Sequence, residues 1–394
     1  MPVHRSCLMT RSPPSLLEFF QLPLTDELNT AIARPQAPDG EMLFGFWYRA
    51  LPSPRVARNQ LAKAMLLEIP LVLGRDAQGR AFAMLDLCPH RGMPLSCGAF
   101  DGKNLECSYH GWKFDAHTGQ CTLIPSLTSD SKLKVERIWA GHFPSEERDG
   151  FIWAFIPEQQ TSGRPEINPP SPAPSIPALS DKYKLAHISA ELPCNVDHGI
   201  IGLMDPAHGP FVHQAWWWRT RGSIHEKSKQ FEPIPNGFRM SAHAPSSNSA
   251  PYKLLRLYAS ADAITTTIDF VLPNLRLEQI RAGKYWFSSL TTVTPIRRNH
   301  CRIDTVAAWN VFRNVPFVKP LFRFVGQKFM AQDQRTMEMQ AEGLKYNPNL
   351  MLIDDADRPA KWYYQLKSAW LESRRNGGSM RHPLQGPVTL RWRS

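Results

Sequence analysis

Apolar positions in the first part of the chain come in short runs rather than helical stripes. FGFWYRAL from Phe44, MLLEIPLVLG (65–74), RAFAMLDL (80–87) and FIWAFI (151–156) are each about the length of one strand. The turn-like RDAQG separates the second run from the third, and WKFDAHTGQCTLIP (112–125) predicts a hairpin turning at His117–Gly119. Residues 42–160 therefore predict an all-β module. Ahead of it, residues 1–41 hold Pro13, Pro14, Pro23, Pro35 and Pro38 with one apolar patch, LLEFF at 16–20. That predicts a mostly irregular extension with about one helical turn. Beyond the module, six prolines fall within the thirteen residues from Pro165 to Pro177. Proline offers no amide proton to a ladder and favours extended backbone, so 161–182 predicts an interdomain linker.

Residues 183–394 predict a second domain of different character. AITTTIDFVL (263–272), YWFSSLTTVTPI (285–296) and RIDTVAAWNVF (302–312) are β-rich, and they precede a helical C-terminal region. In VGQKFMAQDQRTMEMQ (325–340), Phe329, Asp333 and Met337 recur at i, i+4 and i+8. A carboxylate thus sits on the apolar stripe of a helix, where a lone charge is costly without a metal or partner. A buried ion pair would also account for Asp333. Glu338 and Glu342 fall on other faces and read as solvated. KWYYQLKSAWLESRRNGG (361–378) predicts a basic amphipathic helix ending at Gly377, suited to docking or to covering the domain. The fold class is α+β.

A chain of 394 residues is long enough for two sizeable cores. Its seven cysteines form no framework pattern, which argues for a reducing compartment. No apolar run is long enough for a membrane span, and no continuous apolar segment follows the early basic residues as in a signal peptide. A cytoplasmic setting is expected. The formal charge of +11 comes from dispersed basic residues without a recognition motif, so no nucleic-acid partner is expected. A basic face for an acidic electron-donor protein fits that charge better.

Candidate chemistry begins in CPHRGMPLSCGAFDGKNLECSYHGW (88–112). Cys88 and His90 form a C-x-H pair, and after a gap of sixteen residues Cys107 and His110 form C-x-x-H. Gly92 and Gly111 let the backbone turn tightly behind each pair. Two cysteines on one iron and two histidines on the other make a Rieske [2Fe–2S] centre. Two cysteines with two histidines also suit structural zinc, but zinc fingers group like ligands together, whereas each pair here is mixed. The CPHRG and CSYHGW flanks resemble Rieske proteins. Those of respiratory complexes carry two further cysteines that staple the loops; Met93 and Tyr109 stand at those positions here, so the loops resemble the oxygenase type.

The second constellation is NVDHGIIGLMDPAHGPFVHQAWWW (195–218), with Asp205, His208 and His213 spaced D-x-x-H-x-x-x-x-H. On a helix Asp205 and His208 share a face, and Gly209–Pro210 is expected to break that helix and swing His213 back. Two histidines and a carboxylate with open coordination positions are what non-haem iron(II) enzymes use for dioxygen. By themselves the two histidines read equally as core residues. Trp216–Trp218 suit either a substrate entrance or packing. His117, His142, His187, His225, His243, His300 and His382 lack motifs and read as surface or satisfied core residues.

Over roughly 42–345 the chain resembles the catalytic α subunit of Rieske non-haem iron oxygenases. LMDPAHGPFVH is similar to the family's iron segment, notably in the pheophorbide oxygenase branch. The resemblance implies an N-terminal Rieske domain and a helix-grip (START-like) catalytic domain, with a curved antiparallel sheet around a long C-terminal helix. It implies a [2Fe–2S] cluster on Cys88, His90, Cys107 and His110, and mononuclear Fe(II) on His208, His213 and Asp333. It also implies a head-to-tail homotrimer, in which Asp205 bridges His208 to a neighbour's His110. The expected activity is oxidation of a hydrophobic, aromatic or polycyclic small molecule with O2. Since no G-x-G-x-x-G fingerprint is present, electrons would come from a ferredoxin or NAD(P)H-dependent reductase. The alternative is a Rieske electron-transfer protein without oxygenase activity. One position departs from the family: Gly202 stands where many members have asparagine, three residues before the bridging aspartate. His198 or water is expected to take over that asparagine's part.

Overall fold

The computed structural model describes residues 40–158, 167–177, 180, 182–214, 220–243, 264–312 and 314–394. LLEFF, part of the proline-rich stretch and Trp216–Trp218 lie outside them. Eleven strands occupy the first module: β1 (Phe46–Pro52), β2 (Ala62–Leu66), β3 (Ile69–Arg75), β4 (Ala81–Leu85), β5 (Ala99–Phe100), β6 (Asn104–Glu106), β7 (Lys113–Asp115), β8 (Cys121–Leu123), β9 (His142–Phe143), β10 (Ser145–Arg148) and β11 (Phe151–Ile156). They form three small sheets, ordered β1-β11-β10, β2-β3-β4-β9 and β5-β6-β7-β8. The strand expected over 65–74 is instead a tight hairpin, with Leu66 paired to Ile69. Leu67 and Glu68 take φ of 51° and 64° without being glycine or asparagine. The reason is tertiary: their amides donate to the carbonyls of Pro295 and Ile296 in the other domain, and Leu67 is buried there.

The second region contributes β12 (Lys184–Leu192), helices α1 (Val196–Met204) and α2 (Gly209–Val212), then β13 (Glu226–Ile234), β14 (Gly237–His243), β15 (Ile264–Val271), β16 (Leu275–Ala282), β17 (Tyr285–Arg297) and β18 (His300–Trp309). Helix α3 (Val318–Leu344), helix α4 (Arg358–Asn376) and β19 (Val388–Arg393) complete it. These strands make one eight-stranded sheet, ordered β12-β18-β17-β16-β15-β14-β13-β19, with neighbours antiparallel. The α+β architecture is as expected, though β13 (EKSKQFEPI) looks polar in sequence because alternate residues face solvent. Helix α3 runs 27 residues and packs along β12. Helix α4 ends at Gly377 and covers the domain, burying Trp362, Tyr363, Tyr364 and Leu366.

Two buried ionic arrangements tie these parts together. Asp197 of α1 and Lys367 of α4 are fully buried and meet at 2.7 Å, and Asp197 also accepts from the Gly40 amide and the Tyr363 hydroxyl. Arg49 of β1 lies between Phe151 and Trp153 and donates to the backbone carbonyls of Asp304 and Leu290 in the large sheet. Arg302 answers by donating to the Arg49 carbonyl and pairing with the Asp304 carboxylate at 2.7 Å. Among the described residues no helix is long and apolar enough to cross a membrane.

Candidate active site

The loops after β4 and between β6 and β7 are near copies of each other. In the first, the Cys88 amide donates to Met93 and the Gly92 amide to Cys88; in the second, Cys107 donates to Trp112 and Gly111 to Cys107. Gly92 and Gly111 both have φ of 69°, a conformation glycine adopts without steric cost. Asp86 pins the first loop by accepting from the Ser96 amide at 2.7 Å and its hydroxyl at 2.6 Å. The result places two buried thiols together and two half-exposed imidazoles together, the rings of His90 and His110 lying 4.5 Å apart. Trp112 stacks on His90 at 4.6 Å. Burial pushes the Cys88 thiol up to about 11, and the Cys107 thiol beside it adds to the rise. His90 Nδ1 is buried with no hydrogen-bond partner among the described residues, which fits a nitrogen reserved for a metal.

The second constellation departs from the expected helix geometry and still converges. Helix α1 stops at Met204 because Pro206 pushes Asp205 into extended backbone, with φ −60° and ψ 117°. Asp205 and His208 therefore share no helix face. Gly209–Pro210, expected to break a helix, begins the short α2 instead, since proline is tolerated in a first turn. The chain doubles back through these residues, and His208 Nε2 comes within 3.1 Å of His213 Nε2. Asp333 Oδ1 on α3 lies 3.0 Å from His213 Nε2 and 4.0 Å from His208 Nε2. Glu338 and Glu342 are exposed, as read.

The opposite ring nitrogens decide what this cluster can hold. His208 Nδ1 lies 2.9 Å from the Asp205 carbonyl, and His213 Nδ1 lies 3.1 Å from Gln332 Oε1. Both oxygens only accept, so each Nδ1 carries the proton and each Nε2 presents a lone pair in the neutral rings. Two lone pairs and a carboxylate oxygen then face one another, an arrangement that repels unless a cation sits between them. Burial disfavours charge on His208, but Asp205 and then Asp333 carry its pKa above the usual histidine value. Phe329 stacks on His213 at 3.6 Å and fixes its plane. The Asp205 carboxylate accepts from the Ala207 amide and comes within 3.6 Å of His208 Nδ1. Gln332 was not legible beforehand; its only signal is its place beside Asp333.

These groups line a cavity of about 1530 Å³ between the large sheet and α3. Ile188, Leu192, Ile303, Phe287, Val325 and Met337 make much of its wall apolar, and it exceeds the range of roughly 300–1,000 Å³ common for ligand pockets. His198, His225 and His243 also line it, and the last two each place Nδ1 against a backbone carbonyl, of Ser223 and Ser241.

Residues 46–137 match the family "Rieske [2Fe-2S] domain", and 194–371 match "Vanillate O-demethylase oxygenase C-terminal domain". The chain belongs to the Rieske non-haem iron oxygenases. Members carry a [2Fe–2S] cluster and a mononuclear non-haem iron, and both donor sets described above fit those groups. The chain is 27% identical over 303 residues to a chloroplastic chlorophyllide a oxygenase of Chlamydomonas reinhardtii, covering 74% of this chain and 43% of that one. It is 31% identical over 208 residues to the 5,5'-dehydrodivanillate O-demethylase oxygenase subunit of a Sphingobium species, covering 50% and 46%. The chain thus spans less than half the length of these curated relatives. In fold it is similar to dicamba monooxygenase bound to dicamba, with TM-score 0.64, 21% identity and coverage of 84% and 98%. The departure at Gly202 has a structural counterpart in this Rieske oxygenase. A Cβ there would lie 3.4 Å from Met337 Cε, so Met337 fills the space an asparagine would enter.

Proposed function

We propose that this chain is the oxygenase component of a multicomponent system that oxidises a bulky, mostly apolar organic molecule with O2. The observation carrying this is the convergence of two imidazole lone pairs and a carboxylate at the wall of a large apolar cavity. In this reading Cys88 and Cys107 hold one iron of the cluster, His90 and His110 the other, and His208, His213 and Asp333 hold the mononuclear Fe(II). Once bound, the cluster supplies single electrons and the Fe(II) supplies reductive activation of dioxygen.

The chain's own residues do the rest. The Asp205 carbonyl and Gln332 hold the histidine tautomers, Phe329 fixes one ring, and the apolar wall excludes water and gathers substrate. The organisation we infer is an extension (1–41), a Rieske domain (42–160), a linker (161–182) and a catalytic domain (183–394). Electrons come from a ferredoxin or NAD(P)H-dependent reductase in a cytoplasmic setting. The working assembly is a homotrimer in which Asp205 links His208 to His110 of a neighbouring copy, its carbonyl accepting from His208 and its half-exposed carboxylate from His110.

The test is anaerobic loading followed by metal analysis, then turnover with a surrogate ferredoxin and reductase under ¹⁸O₂. About three irons per two sulfides are expected, with label entering an aromatic or polycyclic product or the group cleaved from it. An iron-to-sulfide ratio near unity without oxygen uptake on any aromatic or polycyclic compound offered would leave the electron-transfer alternative standing.

A further inference from the structure

A strip of polar side chains crosses the sheet wall of the cavity. Strands β16, β17 and β18 are neighbours in the sheet, and their register sets Arg276 opposite Thr291 and Thr291 opposite Thr305. The next inward row sets Glu278 opposite Ser289. All five residues line the cavity. The strip ends on both sides at isoleucines that line it too, Ile188 paired with Thr305 and Ile268 paired with Glu278. Directly opposed residues of antiparallel strands have Cβ atoms about 5 Å apart, so one small group can touch two of them at once.

The hydrogen-bonding capacity of this strip is only partly used. The Thr291 and Thr305 hydroxyls lie 2.7 Å apart, which engages one O–H proton and leaves the other. Arg276 meets the Glu278 carboxylate through Nη1 at 3.0 Å, and its guanidinium makes no other hydrogen bond among the described residues. Most of its N–H donors therefore stay open. Thr291 is buried, where valine would fill the same volume with no hydroxyl to dehydrate. Glu278 balances the charge of Arg276, and this decides what the strip can take. A carboxylate would meet the Glu278 carboxylate along with the guanidinium, whereas a neutral oxygen meets the donors without that repulsion.

We propose that the strip recognises a neutral acceptor oxygen, a ketone or lactone carbonyl on a bulky apolar substrate, through an Arg276 N–H and the spare O–H of the Thr291–Thr305 pair. Calling that molecule a substrate rests on the oxygenase reading; the binding site itself does not. The position suits the role. Gly326 of α3 packs on Ile188, where an added Cβ would lie 2.7 Å from Ile188 Cδ1. Asp333 follows seven residues later on the same helix, roughly 10 Å along its axis. A carbonyl anchored beside Thr305 leaves a polycyclic body to span that distance to His208, His213 and Asp333.

The probes are 1-acetylpyrene, 1-ethylpyrene and pyrene-1-carboxylate, one ring body ending in a neutral carbonyl, in no oxygen, or in an anion. Fluorescence anisotropy follows their binding to the metal-loaded protein under argon, without turnover. The ketone should bind about 10-fold more tightly than either of the others, and its infrared carbonyl band should move to lower frequency on binding. Thr291→Val/Thr305→Val should weaken the ketone about 3-fold and leave 1-ethylpyrene unchanged, and Arg276→Met/Glu278→Met should erase the preference. Glu278→Gln should turn the preference toward the carboxylate, because the guanidinium is then uncompensated. An unchanged cluster spectrum and an unchanged affinity for 1-ethylpyrene show that the fold is intact in each variant. Equal affinities for ketone and hydrocarbon, no measurable binding of the ketone, a carboxylate bound as tightly as the ketone, or a preference that survives Arg276→Met/Glu278→Met would overturn the site. Ketone preference with no oxygen uptake in the ¹⁸O₂ assay would instead overturn the oxygenase reading and leave the site standing.

Discussion

Lys367→Met isolates the buried pair that anchors helix α1, just ahead of His208 and His213. Lys367 and Asp197 are both fully buried, and the ammonium reaches the two carboxylate oxygens at 2.8 and 2.7 Å. Methionine matches the lysine stem in volume, so little is lost in packing. What remains is a buried carboxylate without its cation. Breaking such a pair costs roughly 3–5 kcal/mol. Asp197 keeps two neutral donors, the Gly40 amide and the Tyr363 hydroxyl, which places this case at the low end, about 3 kcal/mol. For a protein of this size that is about 4 °C in Tm. The double variant Asp197→Asn/Lys367→Met should recover much of the loss, because no uncompensated charge is left. Urea unfolding followed by tryptophan fluorescence measures all three proteins. Asp197 also sits in the first turn of α1, whose far end delivers Asp205 and His208, so Lys367→Met should loosen iron binding as well. A Lys367→Met protein within about 1 kcal/mol of wild type, or a double variant worse than both singles, would refute the reasoning.

Three further outcomes follow from the site and the domain junction. Gln332→Leu takes the acceptor from His213 Nδ1 and should weaken Fe(II) or Co(II) binding about 10–100-fold in a metal titration, whereas Gln332→Glu should retain it. Asp333→Ala should keep the visible and electron-paramagnetic signature of the cluster but lose the mononuclear iron and turnover; full iron occupancy would move the ligand to Glu338 or Glu342. Asp304 is fully buried, and although burial opposes its ionisation, Arg302, His187, Arg49 and Ser189 hold its pKa down to about 2. Its folded value lies below the unfolded one, so its contribution is complete above about pH 4 and is lost as pH falls toward 2. Asp304→Asn should flatten the stability-versus-pH curve across that window.

Local chemistry was legible in the chain because each donor pair is short-range. Cys88 with His90, and Cys107 with His110, lie two or three residues apart, and a glycine behind each pair signals the turn. Asp333 stood out because a carboxylate on an apolar helical stripe needs a partner. The strands rich in β-branched and aromatic residues were visible for the same reason of period. Strand β13 was not, because Lys227 and Lys229 take its less exposed positions and no alternation of apolar with polar residues is left to read.

What the sequence by itself determined is therefore which cysteines, histidines and carboxylate the fold brings together, and the order of the Rieske and oxygenase C-terminal regions. Tertiary structure decided the rest. Leu67 and Glu68 make a turn that their residue types disfavour, because carbonyls of Pro295 and Ile296 receive their amides. Helix α1 was expected to carry His208, yet Pro206 ends it early, and convergence comes from a loop and α2 folded against α3. The roles of Gln332 as acceptor for His213 and of Arg276 and Thr291 as cavity lining appear only when residues distant in sequence share a wall. A contact of that kind leaves no local pattern in the chain, since its energy depends on which surfaces the fold brings together.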